Sequence, residues 1–118
     1  MDDHILNSVI KLFSKKRNII LIPHSSPDAD ALGSCLALYH FFKSKNEVNI
    51  ISPNEYTEIL NFLPGSEDIL IYENDKVKCE NAFKKADVVF TLDFNSLSRA
   101  RNLSSLISSS SAMTIMID

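Results

Sequence analysis

Three side chains of the kinds that bind metal ions fall within seven residues near the N-terminus: His24, Asp28 and Asp30. An imidazole and two carboxylates can hold a divalent cation, and a cation placed between two carboxylates relieves their repulsion. The apolar, β-branched run 19–22 precedes them and a helical apolar pattern follows, so they lie on a strand-to-helix turn. Ligands of open α/β sheets gather at such turns. The sequence therefore predicts a metal site here.

Part of the same stretch also has a purely structural explanation. Ser26 followed by Pro27 is typical of a helix N-cap and first helical residue, and Asp28 in the first turn is favoured by the helix dipole. Capping does not account for His24 at the strand end or for a second carboxylate at Asp30. We therefore favour a metal site over capping alone.

Gly33 lies inside the predicted helix, which we expect over about 26–45. Glycine in a helix interior costs about 1 kcal/mol relative to alanine. Its presence therefore predicts that another group approaches the backbone closely at this point.

The pattern His-x-x-Pro-Asp-x-Asp-Ala-x-Gly-Ser, from His24 to Ser34, resembles the first motif of the DHH phosphoesterases. These are manganese-dependent phosphodiesterases and phosphatases. Pro27 and the pair Gly33-Ser34 resemble most the branch that contains nano-RNases, which also dephosphorylate phosphoadenosine phosphate, and cyclic-dinucleotide phosphodiesterases. Two later landmarks extend the resemblance along the whole chain.

The second landmark is Asp93, the last residue of a predicted buried strand, 87–93. Taken alone, Asp93 is better explained by a turn or a helix cap than by a metal site. With Thr91 and Leu92 before it, it resembles the family's second motif, whose aspartate bridges two metal ions. Arg99 matches an arginine that follows in the family, and the resemblance implies that Arg99, like Ser34, contacts substrate phosphate. A surface salt bridge explains Arg99 equally well.

The third landmark is Asp118, which ends the chain after a predicted strand. In the family this strand ends in Asp-His-His, and a fourth acidic ligand and a substrate-binding C-terminal domain follow. We therefore expect residues 1–118 to be the N-terminal part of a DHH phosphoesterase domain, truncated before those ligands and without the C-terminal domain.

Carried over by position, the resemblance implies that His24 and Asp28 ligate one Mn²⁺ ion, Asp30 ligates a second, and Asp93 bridges them. Asp30 and Asp93 are then the catalytic residues, and Asp118 orients a histidine ligand by a hydrogen bond. A water activated by two metal ions would hydrolyse short oligoribonucleotides or phosphoadenosine phosphate. Other divalent metals also suit these ligands. This part alone is expected to bind metal weakly and to be inactive.

Strands and helical segments alternate along the rest of the chain. Strands are predicted at 18–24, 47–51, 68–72, 87–93 and 113–117, with helices up to about 16 and at 26–45, 56–63, 79–85 and 102–111. This alternation predicts right-handed crossovers and a mainly parallel sheet covered on both faces, a doubly wound, Rossmann-like α/β domain. The chain has no Gly-x-Gly-x-x-Gly turn, which argues against a dinucleotide cofactor.

Composition sets the remaining bounds. The chain has 118 residues and a net charge of −3, which argues against binding long nucleic acid by phosphate neutralisation alone. Short RNA or DNA oligonucleotides or small nucleotides remain compatible with this charge.

For Lys15–Arg17 we favour a solvated helix end over a nucleic-acid patch. No stretch is long enough to cross a membrane, and the acidic N-terminus is unlike a secretory signal. Cys35 and Cys79 are expected as buried or half-buried, reduced thiols. We expect a cytoplasmic protein, with a homodimer possible for the full-length chain.

Other functions share part of this pattern. A cyclic-dinucleotide phosphodiesterase of the same family and a degenerate nucleotide- or metal-binding module both fit the motif. A haloacid-dehalogenase-like phosphatase would explain Asp28, Asp30 and Asp93, but its nucleophilic aspartate directly follows the strand. Here His24 occupies that position, so we rank this class behind the others.

Overall fold

One parallel sheet organises the part of the chain that the computed structural model describes, residues 4, 7, 11–92 and 102–117. Its strands are β1 (Asn18–Pro23), β2 (Glu47–Ser52), β3 (Leu70–Ile71), β4 (Val88–Leu92) and β5 (Met113–Ile117). Their order in the sheet is β3-β2-β1-β4-β5, and every neighbouring pair is parallel. This confirms the predicted doubly wound α/β fold.

Helices connect these strands and cover the sheet. They are α1 (Ala29–Phe42), α2 (Lys76–Lys85) and α3 (Ser104–Ser109), with 3-10 turns at Glu58–Phe62 and Ser66–Asp68. Helical conformation before β1 extends to Leu12, with a turn at 13–14, so the first helix ends earlier than predicted. The predicted helix at 56–63 is a 3-10 helix, and the one at 79–85 begins three residues earlier, at Lys76.

Alternate residues of β1 point to opposite faces of the sheet. Ile19 and Leu21 pack in a core with α1, while Ile20 and Ile22 pack in a second core with α2 and α3. A strand buried on both faces needs apolar residues at every position, which explains the unbroken apolar run. In the described part of the chain, no helix is long and apolar enough to cross a membrane.

The two cysteines confirm the prediction of buried thiols. Cys35 and Cys79 are free and buried, one in each core. Burial raises the pKa of the Cys35 thiol to about 12 and is also the main reason that the pKa of Cys79 rises to about 11.

We expect neither thiol to react with Ellman's reagent in the native protein at about pH 8, because the reactive thiolate is suppressed and shielded. Both should react at once in guanidinium. Because the folded pKa values exceed the ordinary value of 9.0, the contribution of the two thiols to the free energy of unfolding should be constant below about pH 9 and fall as the pH rises toward 11 and above. Rapid native labelling at about pH 8 would contradict this prediction.

Candidate functional site

The motif turn lies at the point where the strand order reverses. β1 has β2 on one side and β4 on the other, and its last residue, Pro23, pairs with Leu92, the last residue of β4. The chain runs from β1 to β2 in one direction and later crosses to β4 on the other side. In open α/β sheets, this switch point forms the crevice in which ligands bind. The structure therefore places the motif turn where the sequence argument requires it.

His24 directly follows β1 and is half-buried. Its Nδ1 lies 2.8 Å from the carbonyl oxygen of Ser25, a distance at which an Nδ1–H donates to the oxygen. A carbonyl oxygen can only accept, so in a neutral imidazole this contact corresponds to the tautomer with the proton on Nδ1. Neutral imidazole in a defined tautomer is the form that ligates metal ions.

Asp28 is the N-cap of α1, which corrects the prediction that Ser26 caps a helix beginning at Pro27. Its backbone is extended, and its Oδ1 accepts a hydrogen bond of 2.9 Å from the backbone N–H of Ala31. Helical geometry starts only at Ala29. Asp30 lies exposed in the first turn, where the helix dipole favours its negative charge. Capping thus explains one oxygen of Asp28, and the dipole favours Asp30 without requiring it. Neither effect accounts for His24 at the strand end.

Ser26 is not a cap because its backbone adopts a left-handed conformation. Its φ is 51°, and Ser26 is the one residue other than glycine that has a positive φ in the described part of the chain. Asn54, in the loop after β2, holds it there from both sides: the Ser26 N–H donates to Asn54 Oδ1 at 2.6 Å, and Asn54 Nδ2 donates to Ser26 Oγ at 3.0 Å. The backbone carbonyl of Asn54 accepts a 2.6 Å bond from the buried Ser52 hydroxyl. We call this arrangement the Asn54 clamp. Sequence reasoning missed it.

Asn54→Ala is expected to lower the free energy of unfolding by about 1–2 kcal/mol, because two hydrogen bonds that stabilise a strained residue are lost. Urea denaturation measures the change. Asn74→Ala is the matched control, since Asn74 Nδ2 donates only to the exposed carboxylate of Glu55. Adding Ser26→Gly to Asn54→Ala should restore part of the stability, because glycine adopts positive φ freely. Equal losses for the two asparagines would contradict the role of the clamp.

Gly33 has no close neighbour from another element among the described residues. Apart from its chain neighbours and the backbone of its own helix, none of their atoms lies within 4 Å of the position that a Cβ would occupy. In the described part of the chain, the surface beside α1 is thus open at this point. Ser34, the next residue, is exposed in the second turn of α1, and the structure does not test its predicted contact with phosphate.

Gly33→Ala is expected to raise the free energy of unfolding by about 0.5–1 kcal/mol, because alanine is the better helix former and meets no clash. Thermal and urea unfolding measure the gain. Ala37→Gly, at an exposed position of the same helix, is the reciprocal control and should cost a similar amount. A destabilised Gly33→Ala protein would show that the space beside α1 is filled.

Two buried hydroxyls at this edge of the sheet have no hydrogen-bond partner among the described residues. They are Ser25 Oγ, in the motif turn, and Thr91 Oγ1, one residue before the end of β4. A buried polar atom without a partner is costly, about 1–3 kcal/mol, and calls for an explanation such as a ligand, an ion or water. Both side chains fit ordinary turn and strand propensities, so the sequence did not mark them.

The described residues do not complete a metal site by themselves. Among them, no group of three or more His, Cys, Asp or Glu side chains is arranged to hold a metal ion. His24, Asp28 and Asp30 are brought to one turn and supply nitrogen and oxygen donors of the right chemistry. The predictions for Asp93, Arg99 and Asp118 lie outside the described residues.

Comparison with known proteins assigns this fold to a family. The model of the DHH family N-terminal domain matches residues 18–118. The crystal structure of an exopolyphosphatase-related protein from Bacteroides fragilis is similar, with a TM-score of 0.92 and 38% sequence identity. The similarity covers 99% of this chain and 35% of that one, so this chain spans about a third of its length. No curated protein matches it. The chain therefore belongs to the DHH family, through the match of its N-terminal domain to residues 18–118.

Proposed function

We propose that this chain is the metal-binding domain of a phosphoesterase that uses two divalent cations, with Mn²⁺ as the expected metal. The observation that carries the proposal is the position of His24, Asp28 and Asp30 at the switch point of a DHH-family sheet. The family and the exopolyphosphatase-related neighbour both support a phosphoesterase-type function. When bound, two cations lower the pKa of a water and neutralise charge on a phosphoryl group.

Each residue of the turn has a distinct part in this proposal. His24 would hold one cation through its imidazole, whose Nδ1 lies against the Ser25 carbonyl. Asp28, which caps α1 through Oδ1, would hold the same cation through its carboxylate. Asp30 would hold the second cation from the first turn of α1. Asp93, the residue after Leu92 in the sequence, would serve both cations, as the resemblance to the family's second motif implies.

The substrates that we propose are short oligoribonucleotides or phosphoadenosine phosphate, with cyclic dinucleotides as the alternative within the family. Inorganic polyphosphate is a second candidate, because the similar structure is named exopolyphosphatase-related. All of these are anionic, and two cations would bind each through its phosphate oxygens.

A substrate panel on the full-length protein tests the proposal. Oligoribonucleotides, phosphoadenosine phosphate, a cyclic dinucleotide and polyphosphate are each incubated with Mn²⁺, and products are separated by chromatography. We expect nucleotide hydrolysis that EDTA abolishes and that Asp93→Asn lowers at least about 100-fold, more than the loss of an outer hydrogen-bond partner costs. If only polyphosphate is shortened, the proposed nucleotide substrates are wrong and the substrate is inorganic polyphosphate. Mn²⁺ binding without turnover of any substrate would identify a binding module instead.

A further inference from the structure

A groove opens at the edge of the sheet opposite the motif turn, where α1 ends and β1 and β2 begin. Its volume is about 580 Å³. The 14 residues of α1 separate it from the motif turn, a distance of about 20 Å at 1.5 Å per residue. The groove is therefore separate from the proposed metal site. Its lining combines aromatic rings with lysines and includes Phe13, Lys15, Lys16, Phe41, Phe42 and Lys45.

The aromatic residues of this groove have two different environments. Phe42 is stacked on Phe13, with ring centroids 5.2 Å apart, and on Phe90, at 5.7 Å. These three rings belong to the core. Phe41 meets Phe42 at 77° and remains 74% exposed. A rigid support thus holds one phenyl ring in solvent, available for stacking.

Positive charge is concentrated around that ring. Six of the twelve Lys and Arg residues lie in the segments 11–17 and 43–45, which contain no Asp or Glu, although the whole chain has a net charge of −3. Arg17 is engaged within the chain, since its Nε donates to the carbonyl of Leu12. The lysines that line the groove are exposed.

Phe62 shows that exposure of a ring alone does not make such a surface. It is also 74% exposed, but segment 54–68 around it carries four acidic residues and no Lys or Arg. A phosphate chain would be repelled there and attracted at Phe41. The contrast in charge singles out the groove at Phe41.

We propose that this groove binds single-stranded nucleic acid. An unpaired base stacks on Phe41, and the adjoining phosphates contact Lys15, Lys16 and Lys45. A stacking ring beside a positively charged track is the arrangement by which proteins hold single strands without base-specific hydrogen bonds. The rings and charges come from two segments that only the fold brings together, so Lys15 and Lys16 are more than a solvated helix end. This site is additional to the proposed phosphoesterase centre.

Fluorescence anisotropy of a labelled, unstructured single-stranded RNA tests this site. The full-length protein is titrated in EDTA, so that neither metal binding nor hydrolysis affects the readout. Phe41→Ala should weaken binding at least about fivefold, and Phe62→Ala, the matched control, should leave it unchanged. The double variant Lys15→Glu/Lys45→Glu should lower the salt dependence of the affinity, whereas Lys84→Glu/Lys85→Glu should not. Three phosphate contacts predict a loss of affinity of about tenfold or more between about 50 and 200 mM salt.

The other ligands that this surface could hold are distinguished by parallel measurements. Polyphosphate has no bases, so its binding should depend on the lysines and not on Phe41. Equal affinity of wild type and Phe41→Ala for the RNA would reduce the groove to a general anion patch and overturn the proposal. A Phe41-dependent change in sedimentation, or in binding to anionic vesicles, without RNA binding would likewise overturn it in favour of self-association or a membrane surface.

Discussion

In the full-length protein, Asp28→Asn should lower the proposed phosphoester hydrolysis at least about 100-fold while leaving the protein as stable as the wild type. Asparagine caps a helix about as well as aspartate, so the bond to the Ala31 N–H is kept. The amide removes the negative charge that a divalent cation requires. The expected loss exceeds the 10–100-fold cost of losing a residue that only supports a ligand. The kcat measured by steady-state kinetics and the Mn²⁺ affinity measured by electron paramagnetic resonance should both decrease.

Asp28→Ala separates the two roles of this side chain. It removes both the charge and the cap, so it should be as inactive as Asp28→Asn and also less stable by about 1 kcal/mol. Asp30→Asn should lose activity without any loss of cap. If Asp28→Asn retains full activity and only Asp28→Ala is impaired, Asp28 serves the helix alone and the proposed metal ligation fails.

Leu32→Ala should lower the free energy of unfolding by about 2–5 kcal/mol, the cost of deleting a fully buried leucine and leaving a cavity. Leu32 is 0% exposed and joins the first turn of α1 to the core beneath it. Thermal unfolding followed by circular dichroism should show a fall in Tm of about 10 °C. Val77→Ala is the control, because Val77 is 71% exposed and its truncation should change stability by less than about 0.5 kcal/mol.

If the two variants unfold at the same temperature, α1 is not anchored to the sheet through Leu32. The comparison also bears on the site, since Asp28 and Asp30 lie in the turn that Leu32 holds in place. A destabilised Leu32→Ala protein should still bind Mn²⁺ with the wild-type affinity at low temperature, where it remains folded. This result would separate the stability of α1 from the chemistry of its first turn.

The parallel sheet could be predicted because its signal is local and repeated. Apolar runs such as Ile19–Ile22 and Val88–Leu92 have no polar alternation, and strands of that kind are buried on both faces. The helices between them contain enough residues to cross over the sheet. The strand boundaries were less predictable. β3 has only two residues, and so short an edge strand leaves little sequence pattern from which its ends could be predicted.

The motif turn was only partly predictable. Its place at the carboxyl edge follows from the order of elements, but the cap was assigned two residues too early. Ser26-Pro27 matches the general preference for Ser before Pro at a helix start. This preference does not decide the helix start here, because Asn54 holds Ser26 at positive φ. Helical geometry therefore begins after Asp28, whose carboxylate accepts a hydrogen bond from the backbone N–H of Ala31. Gly33 was predicted to mark a close contact, and among the described residues no atom from outside its own helix lies within 4 Å of a Cβ at this position.

The class of fold, the family motif and the residues that face the switch point follow from the amino-acid sequence alone, because each depends on neighbours along the chain. The residue that caps α1, the contacts that hold Ser26 and the position of Phe41 in a basic groove depend on the tertiary packing. Asn54 and Ser26 are 28 positions apart, and the groove joins segments on either side of β1 and α1. Such contacts depend on the packing of α1 against the sheet and on the register of β1 with β2, which local patterns do not encode.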